Sequence, residues 1–342
     1  MDIREFQPVD RDRVGAFLEN SGNSTVYHHP GWKAVVENTF RHPFHYLVAE
    51  SEGRVRGVLP LVHIRSRLFG NYMVSLPYFN YGGPCASDLE ARGELLRESV
   101  RLAGRAKARF VEFRSLDRWE NEMPVKTGKV SMVLSLPTSS EELWESFPSK
   151  LRSQIRRPGQ EGMVARIGRE EELGGFYRVF SVNMRDLGTP VYPKRFFENI
   201  LAQFPRNTWI CSVYKDRMVT ASGFLVGFRN RLEIPWASSL RKFNRWSPNM
   251  LLYWESLRFG CDNGFGSFDF GRSTMGEGTY RFKKQWGALP RQLYWHYWLR
   301  DRESMPELNP GNPRYRVAIN LWKKLPVAVA NMIGPRIVRN LP

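Results

Sequence analysis

Apolar and polar positions follow a pattern that occurs twice along the chain. After a short strand and helix over Ile3 to Leu18, PFHYLVAESEGRVRGVLPLVHI predicts two strands meeting at a tight turn, Ser51 to Gly53. MVSLPYFNYGGP continues as a strand that runs into Gly82, Gly83 and Pro84. ELLRESVRLAGRAKARF then sets Leu95, Leu96, Leu102, Ala103 and Ala106 at helical spacing, and FVEFRS alternates as the next strand. The same order returns farther on. NTWICSVYKDRMVTASGFLVGF turns at Lys215 to Arg217, RLEIPWASS is a strand, NMLLYWESLRFGCDNG a helix, and SFDFGRS closes the series as FVEFRS does. A shared order of hairpin, strand, helix and strand predicts two copies of one α/β (α+β) unit, because chance seldom keeps order and endings together. Each copy is expected to be a mixed, twisted sheet flanked by helices. The expected blocks are residues 1–140, residues 141–300 and a tail over 301–342.

The joint falls near Leu136 to Lys150, where LPTSSEELWESFPSK offers a Pro, a Ser cap and a short helix. KLRSQIRRPGQEGMVARIGRE follows, with Lys150, Arg152, Arg156, Arg157, Arg166 and Arg169 against few acids. It reads either as a surface for a phosphate-bearing substrate, which arginine holds bidentately, or as a solvated helix face. MRDLGTPVYPK interrupts a helical region and reads as a substrate-facing loop, with Tyr192 and Lys194 as its contacts.

Composition narrows the partners. Across 342 residues, 51 Lys and Arg oppose 34 Asp and Glu, a net charge of +17 that favours an anionic partner. Three scattered cysteines, Cys85, Cys211 and Cys261, form neither a disulfide framework nor zinc-ligand spacing, and read as reduced core thiols. His28, His29, His42 and His45 lack a carboxylate or cysteine at ligand spacing, so no metal site is expected. His63 and His296 fall inside predicted strands. With a charged N-terminus and no long apolar run, a cytoplasmic location is expected, with membrane contact only at the surface. The tail carries Tyr315, Ala318, Ile319, Trp322 and Leu325 along one helical face, several basic residues and no acid. It can lie on an anionic inner-membrane surface or pack back on the second copy. YWHYW, Tyr294 to Trp298, reads as a strand with one face on the core and outward rings available to sugars.

Candidate chemistry concentrates in SFDFGRSTMGEGTYRFKKQWG, Ser267 to Gly287. A strand leads into Gly271, Gly276 and Gly278, which let backbone N–H groups approach an anion, and then into Lys283 and Lys284. Asp269 can orient an incoming amine or hold a lysine, or it can cap the turn after its strand.

These segments resemble the FemAB family of peptidoglycan bridge-type aminoacyltransferases, whose members pair two GNAT-like acyltransferase domains. HHPGWKAVVENTF is similar to the family's entry helix, YGGP to its Gly-Pro turn, and FDFGRSTMGEGTYRFKKQWG to its strand and Gly loop ending in a Phe-Lys pair, here Phe282 and Lys283. SRLFGNYMVSLPYFNYGGP, MRDLGTPVYPKRFF and NPRYRVAINLWKKLPVAVANMIGPRIVRNLP are similar to FemAB-related proteins of PEP-CTERM/exosortase and exopolysaccharide systems. The resemblance implies transfer of an acyl or aminoacyl group to an amine, or a hydroxyl, of a saccharide or peptidoglycan-type precursor. The donor is a charged tRNA or an acyl-CoA, used as co-substrate with no tightly bound cofactor.

It further implies Lys283 as the donor to the tetrahedral oxyanion, with Asp269 beside it. Arg152, Arg156, Tyr192, Lys194, Arg272, Gly276, Gly278 and Lys284 are the expected substrate contacts. Two departures stand out. Neither repeat has the Arg/Gln-x-x-Gly-x-Gly/Ala loop that cradles the pyrophosphate of coenzyme A, and Val36 stands where bridge-forming members place a substrate-binding lysine. The alternatives are an acyl-CoA-dependent GNAT enzyme and a non-catalytic saccharide- or RNA-binding scaffold.

Overall fold

The computed structural model describes residues 1–67, 69–120, 122–300, 305–306 and 313–341. Contacts divide the chain into two compact units. The first comprises Met1–Val130, Gln292–Leu308 and Asn340–Pro342, and the second Ser131–Arg291 and Asn309–Arg339. The units interleave along the chain, where the sequence suggested contiguous blocks.

In the first unit the chain runs through β1 (Asp2–Glu5), α1 (Arg11–Asn20), α2 (Gly31–Phe40), β2 (Phe44–Ser51), β3 (Arg54–Ser66), β4 (Gly70–Val74), β5 (Cys85–Ala86), α3 (Leu89–Arg105), β6 (Phe110–Ser115) and β7 (Val125–Lys126). The β2–β3 hairpin turns on Glu52 and Gly53, both at positive φ, which matches the twist of the flanking strands. β4 and β6 pair in parallel at Met73↔Val111 and Val74↔Glu112, the other pairings of this sheet being antiparallel. Residues of α3, among them Leu95 and Ala103, pack on Leu59, Leu61, Val111 and Phe113.

The second unit holds β8 (Val130–Ser135), α4 (Ser140–Ser146), α5 (Ser149–Gln160), β9 (Met163–Gly168), α6 (Glu170–Leu187), α7 (Lys194–Gln203), β10 (Thr208–Lys215), β11 (Met218–Phe228), β12 (Arg231–Ser239), α8 (Pro248–Asp262), β13 (Ser267–Ser273), α9 (Gly278–Lys284) and β14 (Leu289–Gln292). Its sheet runs β14-β8-β13-β12-β11-β10-β9. Hairpin β10–β11, strand β12, helix α8 and strand β13 repeat the first unit's order, as the sequence pattern predicts. Phe176, Phe180, Phe196, Phe197, Phe224 and Trp236 meet mostly edge to face in the core beneath this sheet.

β15 (Tyr294–Leu299) follows the second unit in sequence but lies in the first sheet, between β6 and β7. The strand expected here is present, with His296 and Tyr297 buried and Tyr294, Trp295 and Trp298 half-buried. Tyr297 donates to Glu112 at 2.7 Å, His296 stacks on Trp119 at 4.0 Å, and Trp295 covers the Arg114 guanidinium at 4.3 Å. Both faces of the strand are thereby engaged.

The tail folds as α10 (Pro313–Trp322) and α11 (Val327–Val338), which pack back on the second unit. Arg185 donates to Leu325 O at 2.7 Å, and Gly334 lies so close to Val191 that a Cβ would stand 2.9 Å from its nitrogen. Tyr315, named for the tail's apolar face, has a side chain outside what the structure describes. All three cysteines are buried thiols, and Cys85 Sγ donates to Asn23 Oδ1 at 3.1 Å.

The segment before α3 is tightly constrained. Gly82 and Gly83 both donate to Arg114 O, and a Cβ on Gly83 would lie 2.8 Å from that oxygen. Gly83→Ala should cost about 1–3 kcal/mol in urea unfolding, whereas Gly15→Ala, in α1 with nothing within 4 Å, should add about 0.5–1 kcal/mol. Equal effects would contradict the packing described.

Candidate active site

Strands β12 and β13 pair in parallel over only three positions, Arg231↔Ser267, Leu232↔Phe268 and Glu233↔Asp269, although both run on beyond them. The strands part at Gly271, whose φ of 76° turns β13 as an L-residue would resist. Asp269 fixes that turn. It is 1% exposed, and its Oδ1 accepts from Gly271 N at 2.7 Å and from Ser131 Oγ at 2.6 Å. The turn-capping role read from the sequence is therefore present, from inside the sheet.

Lys283 stands opposite. It is carried by α9, only 7% exposed, and its ammonium donates to Gly271 O at 2.9 Å and Arg272 O at 3.0 Å. Burial pushes its pKa down from 10.5 to about 8; the Asp269 carboxylate pulls it back up, and the Arg272 guanidinium adds to the depression. An ammonium has three donors, and these two carbonyls take two of them.

A wall of rings backs α9. Tyr253 on α8 meets Phe270 at 5.5 Å and Phe282 at 5.1 Å, and Trp286 meets Phe147 at 5.6 Å. Two buried polar atoms of the same run have no hydrogen-bond partner, Ser273 Oγ at the end of β13 and Trp286 Nε1 on the turn after α9. Such groups cost about 1–3 kcal/mol each unless a ligand or solvent meets them. Neither was assigned from sequence, although both lie inside the run that drew attention. An orphan hydroxyl or indole N–H has no signature in residue order.

The expected site residues do not all converge. Lys283, Asp269 and the backbone of Arg272 form one constellation; the Arg272 and Lys284 side chains are exposed beside it. Gly276, at φ 79°, and Gly278, which opens α9, have nothing within 4 Å of an added Cβ and edge open space. Arg156 lies on α5, its guanidinium 5.1 Å from Trp144; Trp144 meets Trp254 at 4.9 Å, and Trp254 meets Phe147, which touches Trp286. Arg152 is half-buried on the same helix. Tyr192 packs against Trp236 at 6.2 Å, on the stretch of β12 that lies past the parallel ladder, while exposed Lys194 pairs with Glu198 at 3.5 Å. The loop that bears Tyr192 and leads into Lys194, the first residue of α7, starts at Gly188, the left-handed cap of α6.

Residues 146–284 match the family model described as "Acetyltransferase (GNAT) domain", a match that ends one residue past Lys283. The second unit thus carries a GNAT-type acyltransferase domain, and the chain as a whole has a FemAB-like tandem fold. The solved structure of FemX is similar with a TM-score of 0.66 at 14% identity, over 86% of this chain and 97% of that one. L-PGS from Bacillus licheniformis is similar with a TM-score of 0.57 at 14% identity, over 97% and 98%. A tandem GNAT protein from the clavulanic acid biosynthesis pathway gives 0.52 at 10% identity, over 89% and 99%. No curated protein is similar enough in sequence to count as a match.

Because the folded pKa of Lys283 lies below its ordinary value, the unfolded chain of this acyltransferase binds more protons between about pH 8 and 10.5, and stability gains as pH rises through that window. Urea unfolding of wild type and Lys283→Met measures it. The wild-type minus variant difference should climb by up to about 3 kcal/mol across the window. A difference flat in pH would mean that the ammonium is not desolvated.

Proposed function

We propose that this acyltransferase moves an aminoacyl or acyl group from an activated carrier to an amine, or a hydroxyl, of a cell-envelope or exopolysaccharide precursor. The observation that carries the reading is the Lys283 ammonium, buried on the carbonyls of Gly271 and Arg272 where β13 leaves β12. Its third N–H is the donor offered to the acyl oxygen. When the amine attacks, negative charge gathers on that oxygen, and a donor already in place is worth roughly 3 kcal/mol. Collapse expels the carrier, which takes up the proton that the amine loses. Asp269 acts by position, holding the turn that presents both carbonyls to Lys283.

A charged tRNA is the donor that the surface favours. The turn Arg241–Trp246, which follows β12, carries exposed Arg241, Lys242 and Arg245. Arg245 and Lys215 lie 4.0 and 4.9 Å from the Trp246 ring, and Lys242 lies 5.0 Å from the Phe243 ring. Cations interleaved with aromatic rings suit a phosphate backbone with stacking bases. Acyl-CoA is the second reading, favoured by the acetyltransferase model matched over 146–284 and opposed by the lack of a Gly-rich pyrophosphate loop. Arg152, Arg156, Tyr192, Lys194, Arg272 and Lys284, with the loop of Gly276 and Gly278, are assigned to substrate contact. The envelope or exopolysaccharide acceptor, and the PEP-CTERM/exosortase setting, rest on the sequence resemblance.

The first unit takes a supporting role. Its parallel pair ends at Glu112 as the second ends at Asp269, but there Gly82 and Gly83 close on Arg114 O, so main chain stands where the second unit has an ammonium.

Lys283→Ala should lower transfer by at least about a hundredfold while charged tRNA is still retained on filters in preference to uncharged tRNA at raised salt. Unchanged transfer would remove Lys283 from the chemistry. Lost affinity without any transfer by the wild type would make the protein a binding scaffold.

A further inference from the structure

The tail has two faces, and packing accounts for only one. Inward, Ile319 and Lys323 lie on Gly188, where an added Cβ would stand 2.5 Å from Ile319 Cγ2 and 3.1 Å from Lys323 Cε, and α11 contacts α6. Outward, Val317 and Leu321, one helical turn apart on α10, are 65% and 62% exposed. Met332 on α11 is 64% exposed, and Leu187, which adjoins Gly188 at the end of α6, is 53% exposed. Four large apolar side chains thus face solvent on three elements packed on one another.

The charge around them has one sign. Arg316, Lys323, Lys324 and Arg336 are exposed on or between α10 and α11, and residues 308–342 contain no Asp or Glu. The acid nearest in sequence to Leu187 is Asp186, paired with Arg185 at 2.7 Å and Arg241 at 3.8 Å. Farther along the neighbouring helix α7, Glu198 is paired with Lys194. Apolar side chains ringed by cations fit the boundary between acyl chains and anionic headgroups, where the chains enter the lipid and the cations stay at the headgroups. No helix among the described residues is long and apolar enough to cross a membrane, so the contact is with its surface.

We propose that the outer face of α10 and α11, with Leu187, docks the protein on an anionic bilayer. This surface is independent of the identity of the donor and of the chemistry at Lys283. Both roles that the sequence allowed the tail are then filled at once, by opposite faces.

Co-sedimentation of the full chain with phosphatidylcholine vesicles, with and without phosphatidylglycerol, tests the proposal. Wild type should partition onto the phosphatidylglycerol vesicles at least tenfold more strongly than onto phosphatidylcholine alone, and release as salt is raised. Leu321→Asp, and separately Arg316→Glu with Lys324→Glu, should each lower that partition at least tenfold while melting as wild type does, because the altered side chains already face water. Arg101→Glu, on an exposed turn of α3 in the first unit, should bind as wild type. Equal partition on both vesicle types, wild-type binding by Leu321→Asp, or an equal loss in Arg101→Glu would overturn the proposal. Gel filtration in which Leu321→Asp turns a wild-type dimer into a monomer would assign the face to a second copy instead and overturn it as well.

Discussion

A lysine ammonium taken out of water must find acceptors, and at Lys283 they are main-chain carbonyls that ordinary sheet pairing would have consumed. Gly271 O and Arg272 O are available because β13 leaves β12 after Asp269. The departure needs a residue at positive φ, hence Gly271, and a buried carboxylate to hold its N–H, hence Asp269 braced by Ser131. The cost of burial shows as a pKa brought down to about 8, which keeps the group mostly charged at neutral pH yet readily titrated. Glycine, aspartate, serine and lysine form one dependency. Removing Asp269 takes the acceptor from Gly271 N and Ser131 Oγ, and removing Lys283 takes the donor from Gly271 O and Arg272 O.

The two repeats solve the same opening differently. In the first, Glu112 is tied to Arg114 at 2.7 Å and to Tyr297 at 2.7 Å, and the carbonyl of Arg114 is taken by the backbone of Gly82 and Gly83. The Nε2 of His28 lies 2.8 Å from Gly83 O, and burial lowers its pKa to about 4, so the ring is neutral and serves the loop as a fixed hydrogen-bonding group. The first opening is thus filled by structure. The second holds the Lys283 ammonium on the carbonyls of Gly271 and Arg272.

Much of this was legible in the sequence. Hairpins, helices and the repeat follow from apolar spacing, and Gly53, Gly188 and Gly271 mark where the chain turns. Lys283 and Asp269 drew attention through their place in a strand and Gly-loop run, which gave no sign of the short helix α9 that carries Lys283. What sequence could not supply is non-local. That β15 enters the first sheet depends on pairing with β6, residues far away in the chain, and its YWHYW run reads equally well as a half-exposed strand. Arg152, Arg156, Tyr192 and Lys194 carry suitable chemistry, but packing disperses them: Arg156 stacks on Trp144 and Tyr192 faces Trp236. Ser273 and Trp286 are ordinary residues until burial without partners sets them apart.

The central claim, that a protonated Lys283 stabilises the acyl oxyanion, is tested most directly by the pH dependence of kcat/KM for the donor, which reports the ionisation of the free enzyme. The account predicts a rate that falls as pH rises through about 8, as the ammonium loses its proton, and a descending limb displaced well upward in Lys283→Arg. A wild-type rate that stays level or climbs from pH 8 to 10 would contradict it.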